Sequence, residues 1–443
     1  MASSPKKRSF IRDTLSVMKS RVVMLALTFA IGVALARFLG PEGKGIFAAL
    51  LVFPSLITSL ADLGIRQATI YQLGKKEYAE EDVISVTMFF MMVSSLLSIA
   101  VGAGIYYFVD NPNFTLPLIV LALATIPMSL INSYSKGIFL GKEQVQRFSF
   151  TSWLITFIRL IGILLLVGAA GFYVTGALVA GLIASVALAV YSLWLISQHA
   201  SLKIKFVPQV AWQMVSLGVV YAAALFVLGL NYKVDIVILQ QLSIASEVGQ
   251  YTQGVSLAEL LWQLPAVLSV VLFSKGANAK DQKAFSRNVA KLMRVTLAVA
   301  ALGSVALFFV VGFFIPLVYG QDFEPSVLVT RLLLPGVVAF TVYKVLNMDL
   351  AGKGRPWLSL YVATPAVLLN IALNLVFIPR YGANGAALAS TVSYSVAAVA
   401  FIVVYSRAVQ IPLRDLLRYR QSDFDFIGKL TGKLATKSKM GEG

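Results

Sequence analysis

The feature that most constrains this chain is a succession of apolar stretches, each long enough to cross a bilayer, running almost from the first residue to beyond residue 400. A membrane helix needs roughly 20 mostly apolar residues. Twelve segments meet that length: 13 to 37, 45 to 64, 83 to 109, 115 to 139, 148 to 170, 172 to 197, 214 to 242, 249 to 273, 292 to 318, 326 to 350, 356 to 378 and 384 to 407. The first carries Lys19 and Arg21 near its start, and the seventh is interrupted by Asn231, Lys233 and Asp235. Only 13% of the residues are charged, against about 25% in soluble domains, so a water-facing globule is excluded. Disorder is excluded by 28 Phe and 17 Tyr, since disordered chains are poor in aromatic residues. With no Cys and a single His, His199, neither a disulfide framework nor a thiolate metal site is available. No cofactor, no metal and no enzymatic centre are expected.

The location of the charge explains its sign. Lys plus Arg is 37 and Asp plus Glu is 20, a net +17, which in a soluble protein would suggest nucleic acid. Short cytoplasmic loops collect Lys and Arg. Here the basic residues gather before and at the opening of the first span, in the even-to-odd connections and in the tail, whereas the opposite connections hold only Arg37, Lys44 and Arg380. Both termini are therefore expected in the cytoplasm of a multi-pass plasma-membrane protein, with no role for nucleic acid. A cleavable signal peptide is not expected, because Arg37 and Gly40-Pro41 follow a full-length first span rather than a small-residue cleavage site.

An internal repeat organises the spans. Leu140-Gly141-Lys142 matches Ala351-Gly352-Lys353 at an offset of 211, the same offset carries Gly171 onto Gly382, and Gly176-Ala177-Leu178 resembles Gly385-Ala386-Ala387-Leu388 with a two-residue slip. Gly45-Ile46-Phe47 similarly resembles Gly249-Gln250-Tyr251. The expected architecture is all-α and integral to the membrane, with twelve transmembrane helices in two pseudo-symmetric six-helix lobes. The division places a cytoplasmic segment at 1–12, an N-lobe at 13–197, a linker at 198–213, a C-lobe at 214–407 and a basic cytoplasmic tail at 408–443.

Several motifs fall in a familiar order on this layout. They are Ala36-Arg37-Phe38-Leu39-Gly40-Pro41-Glu42-Gly43-Lys44-Gly45, then Val234-Asp235-Ile236-Val237-Ile238-Leu239 with Glu247-Val248-Gly249-Gln250-Tyr251, then Pro316-Leu317-Val318-Tyr319-Gly320, then Ala351-Gly352-Lys353-Gly354-Arg355, and last Ile378-Pro379-Arg380-Tyr381-Gly382. The chain resembles the Wzx-type polysaccharide flippases of the multidrug/oligosaccharidyl-lipid/polysaccharide exporter superfamily. The resemblance implies a V-shaped pair of six-helix lobes that moves an undecaprenyl-pyrophosphate-linked oligosaccharide outward, with a polysaccharide polymerase or other assembly proteins as partners. A multidrug exporter of the same superfamily is the first alternative, and a membrane polysaccharide polymerase or ligase the second. The second would be expected to carry large outward loops, and the loops here are short.

Ionisable groups at membrane depth are expensive and face a cavity or a partner. Arg159 sits near the middle of the fifth span, and offset 211 pairs it with Asn370. It either holds the pyrophosphate or an acidic sugar with its planar fork, or pairs with a carboxylate to fix helix packing. Lys19 and Arg21 offer a cationic mouth, with snorkelling to headgroups as the structural alternative. Lys233 and Arg331, the other cations within spans, complete the candidate substrate-binding set. Asp235 and Glu259 are the candidate sites for coupling to H⁺ or Na⁺, and ion pairing with Arg159, Lys233 or Arg331 is the competing role for both. Asp423-Phe424-Asp425 has a metal-binding spacing but lies in a basic tail with no βαβ pattern, so chance accounts for it.

Overall fold

The computed structural model describes residues 10–198, 202–263, 265, 281–355, 357–420 and 423, with the side chains of 10–19, 21, 145, 220, 221, 224 and 225 outside that description. All regular structure among the described residues is helical, as the bilayer requires of backbone groups that find no water. The elements are α1 (Phe10–Ala61), α2 (Ile65–Lys75), α3 (Glu80–Phe108), α4 (Leu116–Gly141), α5 (Val145–Ile163) and α6 (Tyr173–Ser197). They continue with α7 (Pro208–Leu242), α8 (Ala245–Ala258), α9 (Gln282–Tyr319), α10 (Ser326–Gly352), α11 (Trp357–Val409) and the short α12 (Leu413–Leu417). A π-helical turn, Leu164–Ala169, extends α5, and a 3-10 turn, Glu259–Trp262, extends α8. Eight helical stretches among the described residues are long and apolar enough to cross a membrane.

Two of these stretches, Val22–Lys75 and Trp357–Val409, hold 54 and 53 residues, more than twice the roughly 20 that one crossing takes. Each contains a bend at glycine: Gly40 adopts φ 62°, ψ −176° within α1, and Gly382 adopts φ 52°, ψ −129° within α11. A left-handed backbone is cheap only for glycine, so the bend falls where the sequence supplies it. Where the sequence suggests a loop between 37 and 45, the chain therefore runs from helix to helix without one. The interruption suggested by Asn231, Lys233 and Asp235 is likewise absent, and α7 is continuous through all three.

The chain packs as two compact units, residues 1–252 with 315–324, and residues 253–314 with 325–443. In the first unit Pro54 lacks the amide that would bond Leu50 four residues earlier. The Tyr106 hydroxyl of α3 donates to the Leu50 carbonyl oxygen in its place. The arm of α1 after Gly40 and the start of α8 meet backbone to backbone. A Cβ on Gly45 would overlap the Ala245 carbonyl oxygen, and a Cβ on Gly249 would overlap that of Pro41. The contact is reciprocal at the offset of 204 that relates the two glycine motifs.

The offset of 211 recurs bond for bond at two helix ends. Lys142, Glu143 and Gln144 donate their amides to Ile138, Leu140 and Phe139, at 3.0, 3.0 and 2.7 Å; Lys353, Gly354 and Arg355 donate to Asp349, Ala351 and Leu350, at 3.0, 3.1 and 2.9 Å. In the second unit Asp349 is fully buried, accepts from Ser286 (2.8 Å) and Tyr405 (2.7 Å), and pairs with Lys353 (2.7 Å).

The tail is also tied down in this unit. The Arg294 guanidinium grips Asp423 in bidentate fashion, at 2.7 and 2.8 Å, and caps the Asp415 and Leu416 carbonyls at 3.1 and 3.0 Å. Both side chains are almost fully buried. The Arg294 hydrogen bonds hold the Asp423 carboxyl below the ordinary carboxylate range.

Outcomes are expected for three substitutions. Gly45→Val should lower the thermal midpoint in detergent, because overpacking costs roughly 1–3 kcal/mol. Gly104→Ala, where nothing lies within 4 Å of an added Cβ, should leave it unchanged or raise it slightly. Asp423→Asn should weaken tail docking by roughly 1.5–3 kcal/mol, the worth of hydrogen bonds to a charged group. The chain has no Cys, so a single nitroxide at Arg418→Cys reports docking cleanly. A depressed carboxyl contributes stability above its unfolded value of about 3.9 and loses it as pH falls through the lower folded value. The label should therefore stay immobile from pH 8 to 5 and be released only in stronger acid.

Candidate functional site

The first unit holds a cavity of about 390 Å³, inside the range of about 300–1,000 Å³ usual for ligand pockets. One face of the α1 arm forms a wall, because Phe47, Leu51, Pro54, Ser55, Thr58 and Ser59 recur at the spacing of a single helical stripe. Arg159 enters from α5, Lys233 from α7, and Thr125 from α4. The lining contains two cations and no carboxylate.

Arg159 is the distinctive group. Its guanidinium lies over the Phe47 ring, 5.7 Å from the centroid, and its Nε is buried with no hydrogen-bond partner among the described residues. The π-helical turn begins five residues later, and the Ala170 amide reaches back five positions to the Leu165 carbonyl at 2.9 Å. Such turns widen a helix locally and are frequent at functional sites. The hydroxyls around the cavity already donate to their own helices: Ser55 to Val52 (2.6 Å), Thr58 to Pro54 (2.7 Å), Ser59 to Ser55 (2.9 Å) and Thr125 to Ala122 (2.6 Å). Lys233 Nζ donates to Ser55 Oγ at 2.6 Å. These four hydroxyls thus spend their protons within their own helices, and the donors suited to an anion come from Arg159.

The other sequence candidates are distributed differently. Asn370, the repeat mate of Arg159, is fully buried in the second unit, where its Nδ2 donates to Ser393 Oγ at 3.2 Å and its Oδ1 accepts from Asn374 at 2.9 Å. Arg331 donates to the Phe308 carbonyl at 3.1 Å and stacks on that ring at 4.9 Å. Glu259 opens the 3-10 turn after α8 and interacts with the charge of Lys344, whose Nζ sits 4.0 Å above the Trp262 ring. Asp235 is fully buried and accepts from the Tyr251 hydroxyl at 2.6 Å. The side chains of Lys19 and Arg21 lie outside the described residues, as does His199. Of the eight candidates, the cavity of the first unit brings together Arg159 and Lys233.

Sequence reasoning passed over the hydroxyls. Their signal is Ser55, Thr58 and Ser59 at spacings of three and four in an otherwise apolar span. It also placed Lys44 in a connection between spans, whereas the residue lies within α1 and is buried, with its Nζ 5.8 Å from the Tyr319 ring and 5.4 Å from that of Phe323.

Known proteins agree with this architecture. An uncharacterized membrane protein of Methanocaldococcus jannaschii is 20% identical over 404 residues, covering 87% of this chain and 95% of that protein. Among solved structures, the lipid II flippase MurJ in an inward closed conformation is similar with a TM-score of 0.74 at 18% identity, over 92% of this chain and 89% of that one. A multidrug resistance MATE family transporter of the MOP superfamily, in an inward-facing conformation, reaches 0.69 at 14% identity, over 90% and 98%. The fold is thus that of the MOP superfamily. The family model described as polysaccharide biosynthesis protein matches residues 34–328, two thirds of the sequence, and the chain belongs to that family.

Proposed function

We propose that the protein is a flippase that carries an undecaprenyl-pyrophosphate-linked oligosaccharide from the cytoplasmic to the outer face of the plasma membrane by alternating access. The observation that carries this reading is the Arg159 guanidinium, set on a cavity wall with no carboxylate in the lining, in a chain of a polysaccharide biosynthesis family. A guanidinium matches phosphate oxygens with parallel donors and stays charged at any physiological pH. Lys233 adds a second positive charge to the same cavity. A cationic drug, by contrast, would meet repulsion there, which argues against multidrug export.

In this mechanism the six helices of 13–197 and those of 214–407, joined at 198–213, are the moving lobes of a twelve-helix bundle with both termini in the cytoplasm. The pyrophosphate passes from Lys19 and Arg21 to Arg159 while the lipid tail stays in the bilayer. Lys233 and Arg331 are the contributors from 214–407, while Asn370, closed into its own network, supports the helix packing. Glu259 is the leading candidate for the residue that couples H⁺ or Na⁺ to the return step, since the Lys344 charge nearby gives it a counter-ion to exchange when its own charge changes. Asp235, held by Tyr251, is the second candidate. A polymerase and other assembly proteins would then receive the repeat unit on the outer side.

Deletion of the gene in its source organism should make one completed lipid-linked repeat unit accumulate on the cytoplasmic face, measured by mass spectrometry of extracted undecaprenyl intermediates. Complementation by Arg159→Ala should restore surface polysaccharide at least about tenfold less well than wild type, equivalent to about 1.4 kcal/mol, with Arg159→Lys intermediate because it keeps charge and loses the fork. Normal polysaccharide from both variants at wild-type abundance would refute the site. Glu259→Gln should abolish the response of transport to an imposed ion gradient; an unchanged response would remove Glu259 from the coupling role.

A further inference from the structure

A second pocket in the first unit, of about 550 Å³, lies at the end of the helices that carries Gly40. The start of the α1 arm, the loop after α3, the last turns of α7 and the start of α8 enclose it. Its lining includes Glu42, Asp110, Asn113, Gln240 and Gln241, and contains no Lys or Arg. The loop is braced from within, since the Asn113 amide donates to Asn111 Oδ1 at 3.0 Å.

Gln240 is 7% exposed, and both its Nε2 and its Oε1 are buried without a hydrogen-bond partner among the described residues. A buried primary amide with donor and acceptor both open constrains what can answer it. A metal ion or an ammonium would satisfy Oε1 and leave Nε2 unmet. A phosphate or carboxylate would satisfy Nε2, leave Oε1 unmet, and face the charges of Glu42 and Asp110. Neighbouring hydroxyls, each a donor and an acceptor, satisfy both atoms at once.

We propose that this pocket is a carbohydrate subsite that takes an uncharged, hydroxyl-rich sugar through a two-point contact between the Gln240 amide and adjacent ring hydroxyls. Gln241, Asn113, Glu42 and Asp110 surround that contact with groups that accept from further hydroxyls. The inference deepens the flippase reading, on which it rests for the origin of the sugar. It separates the cargo's recognition into an anion held by Arg159 in one cavity and a neutral glycan held by Gln240 in another.

The test is saturation-transfer NMR on the full chain in nanodiscs, with methyl glycosides of glucose, galactose, mannose, N-acetylglucosamine and rhamnose as probes. At least one glycoside should receive saturation, and Gln240→Leu should reduce that signal at least about tenfold. Asn113→Trp, on the loop at the rim, should block the signal without altering the buried wall, which keeps the test decisive if Gln240→Leu folds poorly. Arg159→Ala should leave glycoside binding intact. No saturation for any glycoside, a signal indifferent to both pocket variants, or displacement by sodium or calcium chloride would overturn the subsite. Glycoside binding that persists while Arg159→Ala transports normally would instead defeat the anion site alone.

Discussion

The backbone crossing of the α1 arm and α8 sets the positions of the groups around it. Because Gly45 and Gly249 each face a carbonyl of the other helix, no side chain can enter the crossing, and the two helices are held at a separation that only glycine allows. Residues flanking the crossing are fixed as a result. Arg37, one turn before the Gly40 bend, donates to the Leu317 and Val318 carbonyls at the end of α9, among the unsatisfied acceptors of a helix C-terminus. Lys44 lies against Tyr319 and Phe323, and Gln250 donates to the Asp322 carbonyl at 2.6 Å. Three sequence motifs separated by some 200 and 70 positions thus converge on one cluster.

The same crossing orders both pockets along one helix. The carbohydrate pocket is bounded by Glu42, Ile46 and Ala49 of the α1 arm, and the cationic cavity by Phe47, Leu51, Ser55 and Thr58 of the same arm. Residues 46 and 47 point about 100° apart on a helix, so one short segment serves two chambers with different faces. A shift of this arm would move both linings together.

Much of the fold was legible because bilayer thickness sets helix length. The repeat was legible because backbone turns leave a local signature: the hydrogen bonds after Gly141 and after Gly352 are the same three bonds. Facing was not legible. Where a helix is apolar nearly all round, periodicity carries no direction, so sequence alone left open whether Arg159 faces a cavity or a carboxylate. The continuity of α1 through Gly40 was hidden for a related reason. Arg37 and Lys44 read as loop charges, but carbonyls and rings within the fold receive them. The pairing of Asp423 with Arg294 was not legible, because the two lie 129 residues apart, beyond any local pattern.

A buried polar group without a partner points to a site where it also lines a cavity. Burial of a polar group without a partner costs free energy, and several groups here avoid it: Asn370 is bonded on both atoms, Asp235 holds a phenol, and the Leu50 carbonyl exposed by Pro54 receives Tyr106. Of the buried side-chain atoms that lack a partner among the described residues, those of Arg159 and Gln240 line the two cavities described above, with opposite chemistry, one offering charged donors and the other a neutral donor and acceptor. The duplicated scaffold sharpens the point. At the level where the second half closes its polar group into a network of Asn370, Asn374 and Ser393, the first half substitutes an arginine and leaves it facing open space. Helix packing does not demand that charge, since the equivalent position packs without it.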